Sequence, residues 1–181
     1  MTTAIRVPEL GDGIVTLRAW TRADAPALRP ACGEEAICAY STVPWRFTLD
    51  AARAWVDRQE AKRLAGRGVT LAIVPRDEGD QASPFGTVVL TLQPQEATAR
   101  MGYWLVGAAR GRGYAARAGR LLVDWARREL ALRRIELVIL PGNLASRRVA
   151  AALGATNLGL HPGLAHHGDR REDALLYRIE A

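Results

Sequence analysis

Residues 102–116 read Gly-Tyr-Trp-Leu-Val-Gly-Ala-Ala-Arg-Gly-Arg-Gly-Tyr-Ala-Ala and form the most informative stretch of this 181-residue chain. An apolar segment that ends near Val106 predicts a strand, and the residues after the glycines repeat their apolar side chains at helical spacing as far as Leu130. A glycine-rich turn that opens a helix directs several unpaired backbone N–H groups, and the positive end of the helix dipole, at one place. The stretch therefore predicts an anion site, whose natural occupant is a phosphate or pyrophosphate.

Other interpretations of the same glycines are available. Gly111-x-Gly113-x-x-Ala116 also fits the dinucleotide-binding fingerprint. That fold requires an acidic residue at the end of the next strand, where this chain has Leu140-Pro141, and several further strand and helix units, for which too little chain remains. The chain has no Gly-Lys-Ser/Thr sequence, which excludes the P-loop of nucleoside triphosphatases. Taken alone, the turn is equally compatible with a plain tight connection carrying solvated arginines.

A second polar motif follows the next predicted strand. That strand ends at Pro141-Gly142, and Asn143 and Ser146 come next, at the start of another helix. Asn143 suits the N-cap position, since its side chain can accept a hydrogen bond from a backbone N–H of the first turn. The capping role and a role in ligand binding are compatible, and both stay open for Asn143.

The remaining segments alternate between strand and helix patterns and predict an α+β fold with a mixed sheet. Thr48 is a predicted N-cap and Gly154 a predicted C-terminal cap. Predicted helical regions are 22–40, 48–64, 114–130 and 143–153. Predicted strands are 14–20, 69–74, 85–92, 99–106, 134–140, 156–161 and 175–179, with turns at 75–84 and 93–98.

The two motifs resemble those of the GNAT superfamily of acyl-CoA-dependent N-acyltransferases, and within it the RimJ/RimL type, which acetylates the N-termini of ribosomal proteins. Residues 110–115, Arg-x-x-Gly-x-Ala, match the acyl-CoA motif of that family. Residues 143–148, Asn-x-x-Ser-x-Arg, followed by Leu153-Gly154, match its second motif at the right distance. The resemblance implies a single GNAT-like domain over residues 1–181, with 1–13 as an N-terminal tail. Its mixed, mostly antiparallel sheet would be flanked by helices, and splayed central strands would hold acyl-CoA.

The resemblance also implies how acetyl-CoA, or another acyl-CoA, is held. Backbone N–H groups of residues 111–116 would bind the pyrophosphate, and the strand end at 104–106 would pair with the pantetheine arm like an extra strand. Asn143 would contact the same arm, and an N–H near Leu105 or Val106 would stabilise the thioester oxyanion. The implied cofactor-binding residues are Trp104, Leu105, Val106, Arg110, Gly111, Arg112, Gly113, Tyr114, Ala115, Ala116, Asn143 and Ser146, and no metal site is implied.

The implied activity is transfer of an acetyl group to a primary amine, which attacks the thioester directly while both substrates are bound. Ser146 is the predicted catalytic residue, as a proton donor to the departing thiolate beside which it would lie. Tyr114 and Tyr177 are alternative donors, although their positions are more typical of packing. The sequence does not identify the general base. The main candidates are the three histidines of a predicted loop at 160–169, His161, His166 and His167. Two glutamates of the early helical region, Glu34 and Glu35, are less favoured candidates.

The acceptor is expected between the early helices and the late loop. Tyr40, Trp45 and Phe47 would form its walls or, equally, a small satellite core. A protein or peptide N-terminus, a small metabolite amine and an aminoglycoside are all compatible with the sequence.

Three positions depart from the pattern of the resemblance. Relatives often carry Glu where this chain has Arg117, Phe where it has Ala155, and an acid where it has Arg100. Arg117 would strengthen the hold on phosphate. Arg100 puts in doubt a carboxylate base at that strand position.

The composition, with 49% apolar and 24% charged residues, is that of a soluble globular protein. No apolar stretch is long enough for a membrane span, and the two cysteines, Cys32 and Cys38, fit no zinc spacing and are expected to be reduced thiols. The net charge of +6 comes from arginines spread along the chain instead of gathered on one face, which argues against a nucleic-acid partner. We expect a cytoplasmic protein with acyl-CoA and an amine acceptor as partners, and a homodimer is an open alternative.

Two functions of other classes stay open at this point. A non-catalytic acyl-CoA-binding module or sensor would keep the phosphate site without the chemistry. A basic RNA- or ribosome-associated protein would show binding that collapses when salt is added.

Overall fold

The computed structural model describes residues 3–76, 82–93, 97–167 and 170–180, in which eight strands form one sheet with the order β1-β2-β3-β4-β5-β6-β8-β7. The strands are β1 (Leu10–Gly11), β2 (Val15–Ala19), β3 (Gly68–Pro75), β4 (Gly86–Gln93), β5 (Thr98–Leu105), β6 (Arg134–Ile139), β7 (Thr156–His167) and β8 (Arg170–Glu180). The α-helices are α1 (Glu35–Cys38), α2 (Leu49–Leu64), α3 (Tyr114–Glu129) and α4 (Leu144–Ala152), and 3₁₀ turns lie at Arg22–Leu28 and Gly107–Ala109.

The sheet opens in its middle. Every neighbouring pair of strands is antiparallel except β5 and β6, which are parallel because α3 carries the chain back across the sheet between them. These two strands are partners only from Thr98 to Arg100 on β5 and from Arg134 to Glu136 on β6. Beyond those residues they diverge. The predicted α+β fold, with a mixed, mostly antiparallel sheet and splayed central strands, is confirmed.

Helices cover both faces of the sheet, and each face has its own core. Under α3 and α4 the core includes Leu122 and Trp125, both fully buried. Under the first 3₁₀ turn, α1 and α2 the core includes Trp20, Trp55 and Trp104, and the first two of these rings meet edge to face at 5.3 Å. The gap between β5 and β6 therefore opens between two helical layers.

The two long helices form for the reasons that the sequence predicts. Thr48 caps α2, because its Oγ1 accepts a hydrogen bond from the Ala51 N–H at 3.1 Å. The apolar residues of α2, including Trp55, are buried against the sheet. On α3 the predicted apolar side is likewise buried, while Arg127 and Arg128 remain exposed near its C-terminus, where positive charge is favourable.

The predicted loop at 160–169 is wrong as far as the structure describes it. Strand β7 continues to His167 and β8 already begins at Arg170, so the two form a long hairpin, while residues 168–169 lie outside the described chain. Pro162 and the nearby glycines look like loop residues in the sequence. They are tolerated because β7 is the edge strand and they lie where its register with β8 shifts, between Asn157 and Leu160 and between His161 and Ala165.

The predicted N-terminal tail also takes part in the fold. Ile5 is buried in the core under α3, and its N–H donates to the Arg63 carbonyl at 3.2 Å. Leu10–Gly11 then pairs with β2 as the first strand. Within the described chain no helix has both the length and the apolar character that crossing a bilayer requires.

Candidate active site

Among the residues that the structure describes, six consecutive backbone N–H groups lack a carbonyl partner where β5 passes into α3. The Arg110 N–H donates to the Gly107 carbonyl at 3.2 Å, and the next such bond runs from Arg117 N–H to the Gly113 carbonyl at 3.1 Å. Between them, the amides of residues 111–116 donate to no backbone carbonyl of the described chain. Gly111 and Gly113 have φ values of 78° and 77°, and a Cβ built at either would stand in open space. This arrangement fits an anion of the size of a phosphate.

The side chains of the same turn have other partners. Tyr114 packs its ring on Phe85 with centroids 4.8 Å apart, and Ala115 is buried in the core. These two residues therefore face the turn through their main chain, and the packing expected for Tyr114 is what the structure shows. Arg117 donates to Asp12 at 2.8 Å, so its side chain holds the turn between β1 and β2 and does not add its charge to the anion site. Arg112 is exposed at the rim, and Ala116 is half-buried.

The Arg110 side chain is held by two contacts within the protein. Its Nε donates to the Leu105 carbonyl at 2.9 Å, and its Nη2 donates to Glu34 Oε2 at 2.5 Å. The other oxygen of Glu34 accepts from the Gly107 N–H at 3.2 Å. The ion pair thus connects the start of α1 to the glycine-rich turn, and Glu34 is engaged in this contact.

The gap between β5 and β6 is bordered by main-chain groups. Val106 N–H donates to the Phe85 carbonyl at 2.9 Å, so it is not available for the predicted oxyanion role. Alternate residues of an antiparallel strand direct their hydrogen-bonding groups to opposite sides. The β4–β5 register therefore turns the N–H groups of Tyr103 and Leu105 toward the gap, and those of Trp104 toward β4. Trp104 lines the site with its buried ring instead.

Asn143 and Ser146 lie at the start of α4, beside the gap. Asn143 is the N-cap that the sequence predicts, because its Oδ1 accepts from the Ser146 N–H at 3.0 Å. The hydroxyl of Ser146 neighbours that of Tyr103, whose pKa is raised above its usual 10.0 by burial, against a lowering effect of Ser146. Tyr103 Oη is buried, and no group in the described chain meets it with good hydrogen-bond geometry. A buried hydroxyl without such a partner is costly and suits a site that a ligand completes.

These groups open into a cleft of about 970 Å³ on the face of the sheet covered by α2. Tyr103, Asn143 and Ser146 line it together with Gly102 and Trp104 of β5. The volume lies at the upper end of the range for small-molecule sites. Within the described chain no group of three or more His, Cys, Asp or Glu side chains could hold a metal ion.

The candidate bases are only partly brought together. His166 lines the cleft from β7, whereas His161 is not among the lining residues, and the His167 side chain is outside what the structure describes. Glu35 begins α1 and does not line the cleft either. Tyr177, the other alternative donor, is buried in the core.

The three aromatic residues that were predicted to line the acceptor site do not lie together in the structure. Tyr40 lines the cleft, with 48% of its surface exposed. Phe47 packs against the core under α2, with the Arg29 guanidinium 4.4 Å above its ring. Trp45 is 55% exposed and lines neither the cleft nor the core.

Several residues of the site were not found from the sequence, and Arg100 was noted there only as a departure from the family pattern. Strand alternation could place Tyr103 on one face, but the burial of its hydroxyl depends on where α4 lies. Cationic side chains from α2, β5 and the loop before β3 line the cleft, and two carboxylates of β8 line an adjoining groove that shares Tyr40 and Asn143 with it. These residues are Arg58, Lys62, Arg67, Arg100, Glu172 and Asp173.

A family model described as an acetyltransferase (GNAT) domain matches residues 15–156. The Bacillus subtilis (strain 168) protein named Probable N-acetyltransferase YjcK is 44% identical over 63 residues, which is 35% of this chain and 35% of that protein. The matched part thus spans about a third of the length of this curated relative.

Solved structures share the fold over almost the whole chain. Mycobacterium smegmatis RimJ in complex with CoA-disulfide superposes with a TM-score of 0.81 at 22% identity, covering 96% of this chain and 88% of that one. RimL, described as a ribosomal L7/L12 alpha-N-protein acetyltransferase in complex with coenzyme A, superposes with a TM-score of 0.81 at 18% identity, covering 96% and 98%. At these identities the likeness establishes the fold.

Proposed function

Because the chain belongs to the GNAT acetyltransferase family, we propose that it transfers an acetyl group from acetyl-CoA to a primary amine. Acetyl-CoA supplies the acyl group as a thioester, and the amine attacks it directly while both substrates are bound. The observation that carries this proposal is the run of six unpartnered amides, residues 111–116, next to a sheet that opens between β5 and β6. Coenzyme A needs these two features side by side, because its pyrophosphate requires N–H donors and its long pantetheine arm requires an open strand edge next to them.

In this proposal the amides of residues 111–116 bind the pyrophosphate, aided by the positive end of α3. The pantetheine arm lies in the gap, where the N–H groups of Tyr103 and Leu105 hydrogen-bond with it. The side-chain amide of Asn143 donates to the same arm, since its oxygen is used in capping α4. This division of Asn143 makes its capping and binding roles compatible.

The chemistry requires a donor to the thioester oxygen and a proton for the departing thiolate. An N–H at Tyr103 or Leu105 stabilises the negative charge that develops on the oxygen. Ser146 gives the proton to the sulfur as the C–S bond breaks and the C–N bond forms. Tyr103 remains protonated, because burial raises its pKa, and its hydroxyl lies beside that of Ser146. Ser146 recovers its proton, through water, from the nitrogen that has attacked the thioester.

The acceptor enters from the cleft on the α2 face. Its amine lies near Asn143, where the cleft meets the groove lined by Glu172 and Asp173. An ammonium ion is attracted to that groove and loses its proton to Glu172 or, through water, to His166. The N-terminal amine of a protein or peptide is the proposed acceptor, in keeping with RimL, whose described substrate is the N-terminus of ribosomal L7/L12.

The test is release of free thiol from acetyl-CoA in the presence of a panel of N-terminal peptides, polyamines and aminoglycosides. We expect turnover with peptides, and Ser146→Ala should reduce kcat by about a hundredfold, a typical effect of losing a positioned proton donor, with little change in acetyl-CoA affinity. Ala145→Ser, one residue away on the exposed side of α4, is the matched control. Acetyl-CoA binding without acetylation of any amine would instead identify a binding module, and full activity of Ser146→Ala would remove its role as the acid.

A further inference from the structure

The cleft has an electrostatic polarity that bears on the acceptor. Four cationic side chains line it: Arg58, Lys62, Arg67 and Arg100. Lys62 and Arg100 both lie beside Thr91 of β4, at the end where β5 is still paired with β6. No Asp or Glu is among the described residues that line this cleft. The carboxylates Glu172 and Asp173 lie in the groove at the opposite end.

Lys62 is held at the positive end without a carboxylate partner in the described chain. Its Nζ donates to Thr91 Oγ1 at 2.9 Å, and its side chain also passes close to the backbone of Gly68. Burial, and then the charge of Arg67, lower the pKa of Lys62 to about 8. Two cations close together in a partly dry cleft are costly, and a bound anion would relieve that cost.

Arg100 is similarly under-satisfied. Its Nε is buried and has no hydrogen-bond partner in the described chain. The carboxylate opposite it on β6, Glu136, accepts from Arg178 Nη2 at 3.0 Å and lies 3.8 Å from Arg134 Nε. Glu136 is thus compensated by other arginines and does not line the cleft.

The spacing suits an extended peptide. Arg100 lies on the α2 side of β5, whereas the Tyr103 side chain, three residues further on, faces Ser146 of α4 across the gap. The two positions are about 10 Å apart along the strand. A peptide chain in extended conformation advances at about the same rate per residue, so side chains at its second to fourth positions reach the cations when its amine is near Tyr103 and Ser146.

We infer that the acceptor is an N-terminal peptide segment that carries carboxylates at its second to fourth positions. This inference rests on the proposed acetyl transfer and narrows its substrate. The amine lies toward Glu172 and Asp173, and the carboxylates lie against Arg58, Lys62, Arg67 and Arg100. Polyamines and aminoglycosides are disfavoured, because their several positive charges would face a wall of the same sign.

The experiment compares peptides of one length that differ only at positions two to four, with Asp and Glu, with Asn and Gln, or with Lys. With the full chain and acetyl-CoA, kcat/KM for the acidic peptide should exceed that for the Lys peptide by at least about tenfold, and the ratio should fall as ionic strength rises. Lys62→Met and Arg58→Gln should each lower the ratio, and Arg58→Glu, at an exposed position, should shift preference toward the Lys peptide. Arg128→Gln, on the outer side of α3, removes one charge far from the cleft and should leave the ratio unchanged.

Three results would overturn the inference: equal use of all peptides, a ratio unaffected by the cleft variants, or weaker coenzyme A binding in those variants, which would assign the cations to the cosubstrate. If no peptide is acetylated although acetyl-CoA binds, the proposed transfer fails. Titration with N-acetylated acidic and Lys peptides then still tests the charge preference, because the acetylated peptides need no turnover. Equal affinity for the two would contradict it.

Discussion

Gly113 is the residue at which the free amides pass into α3. Its φ of 77° lies in the left-handed region, and a Cβ there meets nothing within 4 Å. We expect Gly113→Ala to weaken acetyl-CoA binding by about tenfold or more, because the methyl group enters the space proposed for the pyrophosphate. The left-handed conformation should cost about 1 kcal/mol of folding free energy. Titration calorimetry and denaturant unfolding measure the two effects separately.

A substitution at a second glycine, Gly159, serves as a control that distinguishes loss of a ligand contact from backbone strain. Gly159 on β7 has a φ of 95° and open space around its Cβ position, far along the chain from the glycine-rich turn. Gly159→Ala should therefore lose a similar free energy of unfolding and keep its affinity for acetyl-CoA. If Gly113→Ala binds as tightly as Gly159→Ala, the phosphates do not lie at the start of α3.

At the scale of elements, the opening of the sheet depends on how closely β4 and β5 approach. A Cβ at Gly86 would lie 2.5 Å from both Leu105 Cδ2 and the Trp104 carbonyl oxygen. Gly86→Ala should cost about 2–3 kcal/mol of unfolding free energy, as overpacking does, and should displace the strand end that borders the gap. Gly102→Ala, in the same strand pair but with nothing near its Cβ, should be close to neutral in denaturant unfolding. Equal stability of the two variants would mean that β5 moves freely.

Helices, strands and turns could be predicted where residues close in sequence determine them. The same holds for the site, of which only the parts formed by neighbouring residues could be predicted. The turn, α3 and the Asn143 cap follow from glycine and capping rules within a few residues. The β7–β8 hairpin was missed because Pro162 is acceptable only on an edge strand, and the strand order is a property of the whole sheet. The ion pair of Arg110 was not predicted for a similar reason, since its partner Glu34 is 76 residues away in the sequence.

At the scale of the whole molecule, the cleft is assembled from segments distant in the chain, and its charge has a cost in stability. Lys62 is the clearest instance, because its pKa is lowered from 10.5 to about 8 by burial and by Arg67, while Thr91 offers only a neutral acceptor. Arg58 and Arg100 line the same cleft and add positive charge. Charged Lys62 therefore opposes folding in the absence of an acidic acceptor.

The sign of the resulting pH dependence follows from proton binding. Between about pH 8 and 10.5 the unfolded chain keeps the Lys62 proton more fully than the folded chain does, so stability rises with pH in that window. Below pH 8 the cost is present in full. Lys62→Met should therefore be more stable than the native chain at pH 7 by about 1–2 kcal/mol, after allowance for solvent at the cleft mouth, and this advantage should shrink toward pH 10.5. Denaturant unfolding of both proteins across this range measures the difference, in which the titration of other groups cancels. A difference in free energy of unfolding that stays constant with pH would show that the pKa of Lys62 is not lowered by folding.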